Sequence, residues 1–166
     1  MTPCVLGIDP GAASGIAVVT VEGNPRLMNY GKVRLDKGET PTLALGELWK
    51  HIHDHLAAVV IEDQFVAKNI KTAMRLAQTA GRWEEACIAA FPGIPVQWIK
   101  PNEWQQAMLA RVMGRGGQAK REQRKKAAVA VCLGRWGQEL STDMADAALI
   151  AAFVAEKMDF NKRIGV

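Results

Sequence analysis

Four carboxylates stand where a folded chain rarely places unpaired acids. Asp9 follows the apolar residues 4–8, and Glu62 follows the apolar run AAVVI at residues 57–61. Asp143 and Asp146 lie at the start of STDMADAALIAAF, which is otherwise small or apolar over most of its length. Their i,i+3 spacing places both aspartates on one face of a helix. Acids at a helix N-terminus are also favoured by the helix dipole, so this pair has a purely structural explanation as well.

Asp9 and Glu62 each end a predicted strand, where a carboxylate can simply cap a turn. If the two strands are parallel neighbours, however, both acids emerge at the same edge of the sheet, where open α/β sheets bind their ligands. A helix that brings Asp143 and Asp146 to that edge would complete a cluster of four carboxylates. Such a cluster would repel itself and take up protons unless a cation were present.

An all-oxygen ligand set selects hard cations, so the expected metal is Mg²⁺ or Mn²⁺. Two such ions close together can activate a water molecule and stabilise the leaving oxygen in phosphodiester hydrolysis. The four acids therefore indicate metal-assisted chemistry on a phosphodiester.

The elements that must position these acids follow from the apolar periodicity. Three short strands are predicted within the first 35 residues, and a helix opens at Thr40-Pro41, with proline at the first helical position. Further strands are predicted at 57–61 and 94–99, and further helices at 69–91, 101–112, 121–133 and 143–158. This β-β-β-α-β-α-β-α-α-α order predicts an α/β fold with a mixed sheet flanked by helices.

Length and composition limit the alternatives. A chain of 166 residues, 49% apolar and 23% charged, is typical of one soluble globular domain, here residues 1–166. The longest apolar run, residues 147–155, is too short to span a membrane, so no membrane partner is expected. The three cysteines are odd in number and form no CxxC pair, which favours reduced thiols in the cytoplasm.

Positive charge is concentrated in one part of the chain. The net charge is +4, but residues 100–135 carry nine Lys/Arg and two Asp/Glu, a local charge of +7. Such a block is typical of a protein that binds a polyanion, although a solvated face rich in lysine would look similar. We expect Arg115, Lys120, Arg121 and Arg124 to contact nucleic acid.

Three sequence blocks carry a family resemblance. GIDPG at 7–11, IEDQFVAKN at 61–69 and DMADA at 143–147 resemble the signature blocks of RuvC-type Holliday junction resolvases. These enzymes belong to the ribonuclease H-like (retroviral integrase) superfamily, and the likeness extends over residues 4–155. It implies a ribonuclease H-like fold with a mixed five-stranded sheet. It also implies a metal-dependent endonuclease that resolves four-way DNA junctions by paired symmetric nicks, leaving 5′-phosphate and 3′-hydroxyl ends.

The resemblance assigns roles to individual residues. It implies that Asp9, Glu62, Asp143 and Asp146 ligate the catalytic metals, two per active site. It further implies that Phe65 stacks on or wedges between bases, with Lys68 and Asn69 on the same DNA-facing segment. The family acts as a homodimer, so a homodimer is expected here, in the cytoplasm of a bacterial cell or a phage-infected host.

The chain also departs from the family pattern. Asp63 stands where bacterial members usually have Gln, and we interpret it as a solvated side chain. Lys120 matches one family lysine, but Gln105 stands where another is expected, with Lys100 as the candidate substitute. Trp98 and Trp104 flank this position, and core burial is favoured over stacking on nucleic acid for both.

Three alternative functions share parts of this pattern. A branched-DNA binding protein on a decayed nuclease fold would not need four clustered acids. A broader nuclease acting on flaps or Y-structures would use the same site. Actin-like kinases and ATPases also have an Asp-x-Gly motif near a first hairpin, but they require a second domain that this length does not accommodate.

Overall fold

The computed structural model of the chain describes residues 2–52, 54–63, 70–113 and 120–165. Within these residues, five strands and five α-helices follow one another in the predicted order, with one 3₁₀ turn, Leu35–Lys37, after the third strand. The strands are β1 (Cys4–Asp9), β2 (Ala13–Thr20), β3 (Leu27–Arg34), β4 (Leu56–Glu62) and β5 (Val96–Ile99). The helices are α1 (Pro41–Ile52), α2 (Ile70–Ala90), α3 (Pro101–Met113), α4 (Arg121–Trp136) and α5 (Thr142–Ile164).

The strands form one mixed sheet in the order β3-β2-β1-β4-β5. The first three strands are an antiparallel meander, whereas β4 pairs with β1, and β5 with β4, in parallel. In the β1–β4 register Ile8 lies opposite Ile61, so the next residue of each strand is an acid, Asp9 or Glu62. The predicted mixed five-stranded sheet is confirmed, and so is the parallel pairing that brings these acids to one edge.

The helices cover both faces of the sheet. On one face α5 packs against β1 and β2, with α3 and α4 packed on α5, and buries a cluster that includes Val5, Val19 and Leu149. On the other face α1 and α2 bury a second cluster around Leu6, Ile8 and Trp83. Parallel strands covered on both faces read as continuous apolar runs, which explains AAVVI.

Two glycines let α5 lie directly on the sheet. A Cβ at Gly7 would overlap the backbone oxygen of Ala147, and a Cβ at Gly15 would overlap the backbone oxygen of Asp143. The small side chains of α5, with Ala147, Ala148 and Ala151 fully buried, complete this close contact. This close packing of α5 on β1 and β2 sets the position of the start of the helix, which carries Asp143 and Asp146.

The last helix is longer than the sequence pattern predicts. It continues to Ile164 and ends at Gly165, which takes the left-handed conformation with φ +75°. Its final turns are exposed, including the apolar Phe160 and Ile164, and carry an Arg163–Asp159 ion pair of 2.8 Å, so the buried apolar face that marks the rest of the helix is lost there. Across the described residues, no helix combines the length and apolar character that a membrane span requires.

Candidate functional site: an acidic cavity with a basic rim

The four acids singled out in the sequence line one cavity of about 640 Å³. Asp9 comes from the end of β1, Glu62 from the end of β4, and Asp143 and Asp146 from the first turns of α5. The structure thus brings together four side chains from three elements, as the strand ends and the i,i+3 spacing predicted. Asp63 lies at the wall of the same cavity, next to Glu62.

Burial and mutual repulsion make the protonated forms of two of these acids favourable. Burial raises the pKa of Asp9 well above its ordinary range, and the charges of Glu62 and Asp146 raise it further. Burial, followed by the charge of Glu62, raises the pKa of Asp146 to about 7, although Lys125 opposes the shift. In the absence of a cation, Asp9 and Asp146 therefore hold their protons more readily than ordinary aspartates do.

Asp143 differs from the other acids because two lysines hold it. Lys32 Nζ lies 2.8 Å from Oδ2, and Lys125 Nζ lies 3.1 Å from Oδ1. Burial alone would raise the pKa of Asp143, but the hydrogen bonds and charges of these lysines outweigh it and hold that pKa below its usual range. Lys32 lies on β3 and Lys125 on α4, so the contact ties both elements to the start of α5.

Glu62 is held by a different kind of donor. The indole Nε1 of Trp104, in the first turns of α3, donates a 2.8 Å hydrogen bond to Glu62 Oε1. Trp104 is fully buried, as predicted, and its ring packs in the core cluster beneath α5. The hydrogen bond joins that core to the acidic cavity.

The donor set fits a hard divalent cation. Four carboxylates on one cavity supply only oxygen ligands, and a cation would relieve the repulsion that raises the pKa values of Asp9 and Asp146. Nevertheless, no three acid, histidine or cysteine side chains in the described part of the chain already converge as a metal site.

Basic side chains surround the acids. The cavity is lined, together with the carboxylates, by three residues from the first turns of α4 that we call the basic rim: Arg121, Arg124 and Lys125. Lys120 is exposed and immediately precedes α4, and Lys100 is exposed and immediately precedes α3. Gln105, at the position where a family lysine is expected, also lines the cavity.

Four of the residues expected to contact DNA lie outside the described ranges. These are Phe65, Lys68, Asn69 and Arg115. Their assignments rest on the sequence alone.

The structure adds three residues that sequence reasoning did not assign to the site, and it corrects one prediction. Lys32, Lys125 and Trp104 contact acids of the cavity, yet none belongs to a motif in the sequence. The prediction of core burial for Trp98 is wrong, since 42% of its surface is exposed. It lies on the edge strand β5, and its indole nitrogen donates a 2.7 Å hydrogen bond to Glu84 Oε1 on α2.

Two comparisons of the sequence with known proteins give the same family. Residues 5–153 match the model of the family "Crossover junction endodeoxyribonuclease RuvC". The RuvC of Alkalilimnicola ehrlichii is 38% identical over 124 residues, which cover 70% of this chain and 72% of that protein. The RuvC of Chlorobium phaeovibrioides is 32% identical over 126 residues, which cover 71% of this chain but only 64% of that longer relative.

The fold is also that of a solved relative. Thermus thermophilus RuvC in complex with a Holliday junction substrate superimposes with a TM-score of 0.64 at 24% identity, covering 98% of this chain and 96% of that one. The fold is therefore ribonuclease H-like, as the sequence blocks implied. The family model and the curated relatives place the chain among endodeoxyribonucleases. The chain belongs to the RuvC family of crossover junction endodeoxyribonucleases.

Proposed function

We propose that this chain, acting as a single nuclease domain over residues 1–166, is a metal-dependent endonuclease that resolves four-way DNA junctions. In this proposal it makes paired symmetric nicks in opposed strands and leaves 5′-phosphate and 3′-hydroxyl ends. The observation that supports this proposal most strongly is that one cavity is lined by four acids and two arginines: Asp9, Glu62, Asp143, Asp146, Arg121 and Arg124. The acids supply cation ligands, and the arginines supply attraction for the phosphates of DNA.

Asp9, Glu62, Asp143 and Asp146 would hold the cations, Mg²⁺ or Mn²⁺, with two ions per site. When bound, such ions neutralise charge on the reacting phosphate and lower the pKa of a water molecule. The chain itself places its ligands on rigid elements, two strand ends and one helix start, so their relative positions are fixed before DNA arrives. Because Lys32 and Lys125 pair with Asp143, a cation bound there would have to compete with them for this carboxylate.

The DNA-facing surface in this proposal surrounds the cavity. Arg121 and Arg124 lie at its wall, and Lys100 and Lys120 are exposed at the starts of α3 and α4. Contacts of this kind to phosphates supply most non-specific affinity and make it depend on salt. The proposal adds Phe65, Lys68, Asn69 and Arg115 on the basis of the sequence, with Phe65 inserted at the junction centre.

We further propose a homodimer, since symmetric nicks require two sites. Its support is a second apolar stripe on α2, where the exposed Ile70, Met74 and Ile88 lie on one face, together with Gly81. This stripe is distinct from the buried face formed by Ala80, Trp83 and Cys87. A cytoplasmic location, in a bacterial cell or a phage-infected host, is consistent with three free cysteines that are all buried.

The test is a cleavage assay with a labelled synthetic four-way junction and a matched linear duplex, each incubated with Mg²⁺, Mn²⁺ or EDTA. The proposal expects symmetric nicks in the junction alone, and only with metal. Equal cutting of flaps or Y-structures would identify a broader debranching nuclease. Tight junction binding without cutting under either metal would instead identify a branched-DNA binding protein on a nuclease fold.

A further inference from the structure

The buried indole of Trp104 connects α3 to the acidic cavity. Only 1% of its surface is exposed, and the ring lies in the core cluster that contains Ile99, Leu109 and Ala128. Its nitrogen nevertheless points out of that core and donates a 2.8 Å hydrogen bond to Glu62 Oε1. The carboxylate of Glu62 thus accepts a hydrogen bond from a core side chain whose orientation is fixed by packing.

This contact has the properties of a support for a metal ligand. A hydrogen bond to an ionised carboxylate is shorter and stronger than one between neutral groups. The indole offers one donor and no acceptor, so it always fixes an oxygen and never competes for the cation. Glu62 lines the acidic cavity together with Asp9, Asp143 and Asp146, so its orientation bears directly on the candidate cation site.

We propose that Trp104 is a positioning residue for the cation site, because its indole N–H orients the carboxylate of Glu62 within the acidic cavity. The inference rests on the proposed function insofar as the cavity is a cation site. It goes beyond that function by assigning the orientation of one ligand to a core residue of α3.

The competing explanation is that Glu62 merely satisfies a buried indole, as buried tryptophans usually require. The chain contains a suitable comparison in Trp98, whose nitrogen donates a 2.7 Å hydrogen bond to Glu84 on α2. That pair has the same chemistry, but neither residue lines the acidic cavity. Because Trp98 is 42% exposed, it controls for the loss of an indole–glutamate hydrogen bond outside the cavity and not for the loss of volume in the core.

The experiment measures Mn²⁺ binding by calorimetry, without DNA, for the full-length chain and for the variants Trp104→Phe and Trp98→Phe. Loss of a hydrogen bond that supports a metal ligand costs about 10- to 100-fold in metal affinity. We expect Trp104→Phe to weaken Mn²⁺ binding by this factor and Trp98→Phe to leave it unchanged. The half-saturating Mn²⁺ for junction cleavage should rise in parallel, while the rate at saturating Mn²⁺ is largely recovered.

Phenylalanine also removes volume from the core, so a second variant isolates the hydrogen bond. Replacing Trp104 with benzothienylalanine keeps the two-ring shape and exchanges the N–H for sulfur. Weakened Mn²⁺ binding in this variant supports the proposal, and wild-type binding in it overturns the proposal. If the wild-type chain binds Mn²⁺ but does not cut junctions, the proposed function fails while the Trp104 comparison still stands.

Discussion

Lys32 Nζ lies 2.8 Å from Asp143 Oδ2, although the two residues are 111 positions apart in the chain. The contact joins the edge strand β3 to the first turn of α5 and, with Lys125, places two positive charges on one acid of the cavity. The site is therefore partly neutralised by its own chain. A cation must compete with these lysines for Asp143.

Lys32→Gln removes one of the two competing charges. We expect it to tighten Mn²⁺ binding by roughly five-fold, equivalent to about 1 kcal/mol, and to lower the Tm in EDTA because the buried acids lose a counter-charge. Calorimetry and thermal unfolding measure the two effects. Lys50→Gln is the matched control, since Lys50 pairs with the exposed Glu47 on α1, and weaker Mn²⁺ binding by Lys32→Gln would contradict the competition.

Gly15→Ala tests the close approach of α5 to the sheet. The new methyl group would overlap the backbone oxygen of Asp143, so α5 must shift where it carries its aspartates. We expect a loss of about 1–3 kcal/mol of stability and a fall in junction cleavage. Gly46→Ala is the control, because nothing lies near its Cβ in α1 and alanine there should stabilise by about 0.5–1 kcal/mol. Full cleavage by Gly15→Ala would show that the position of α5 is not critical.

The pH dependence of stability without metal follows from the raised pKa of Asp146. Since its pKa in the folded state is about 7, above the ordinary value of 3.8, the folded chain keeps a proton that the unfolded chain releases. Stability should therefore fall as the pH rises from about 4 to 7. In EDTA, Asp146→Asn should raise the Tm by several degrees at pH 8 and hardly at all at pH 4. A Tm difference independent of pH would refute this account.

The double variant Arg121→Ala/Arg124→Ala tests the basic rim. We expect weaker junction binding in EDTA. The slope of log affinity against log salt should become shallower by up to about 2, roughly one for each arginine that contacts a phosphate. Lys162→Ala/Arg163→Ala removes the same charge from the far end of α5, roughly 28 Å from Asp143 at 1.5 Å per residue. An equal effect of both pairs would show that net charge, rather than the rim, attracts DNA.

Much of the site could be predicted from the sequence because its acids stand at the ends of apolar elements. Asp9 and Glu62 follow runs that are readable as strands, and the parallel pairing of those strands brings the two acids together. Asp143 and Asp146 open an apolar helix, and their spacing fixes a shared face. Local apolar periodicity locates these elements, and the topology of the sheet brings their acids to one edge.

The remaining contacts depend on tertiary packing that leaves no local signal. Lys32 reaches Asp143 from an edge strand whose exposed lysine resembles any solvated residue. Trp104 and Trp98 have similar surroundings in the sequence, yet one is buried against Glu62 and the other is exposed against Glu84. The difference arises because β5 is an edge strand, while α3 packs beneath α5. Periodicity alone does not distinguish these environments.

The most direct test of the account compares cutting with binding in Asp146→Asn. The exchange removes one cation ligand and leaves Arg121 and Arg124 in place, so junction affinity in EDTA should stay within a few-fold of wild type. Cleavage of the same junction with Mg²⁺ or Mn²⁺ should fall by at least about a thousand-fold, or about 4 kcal/mol. A variant that still cuts at a rate near wild type, or that loses binding as much as cutting, would contradict the assignment of this cavity as the catalytic centre.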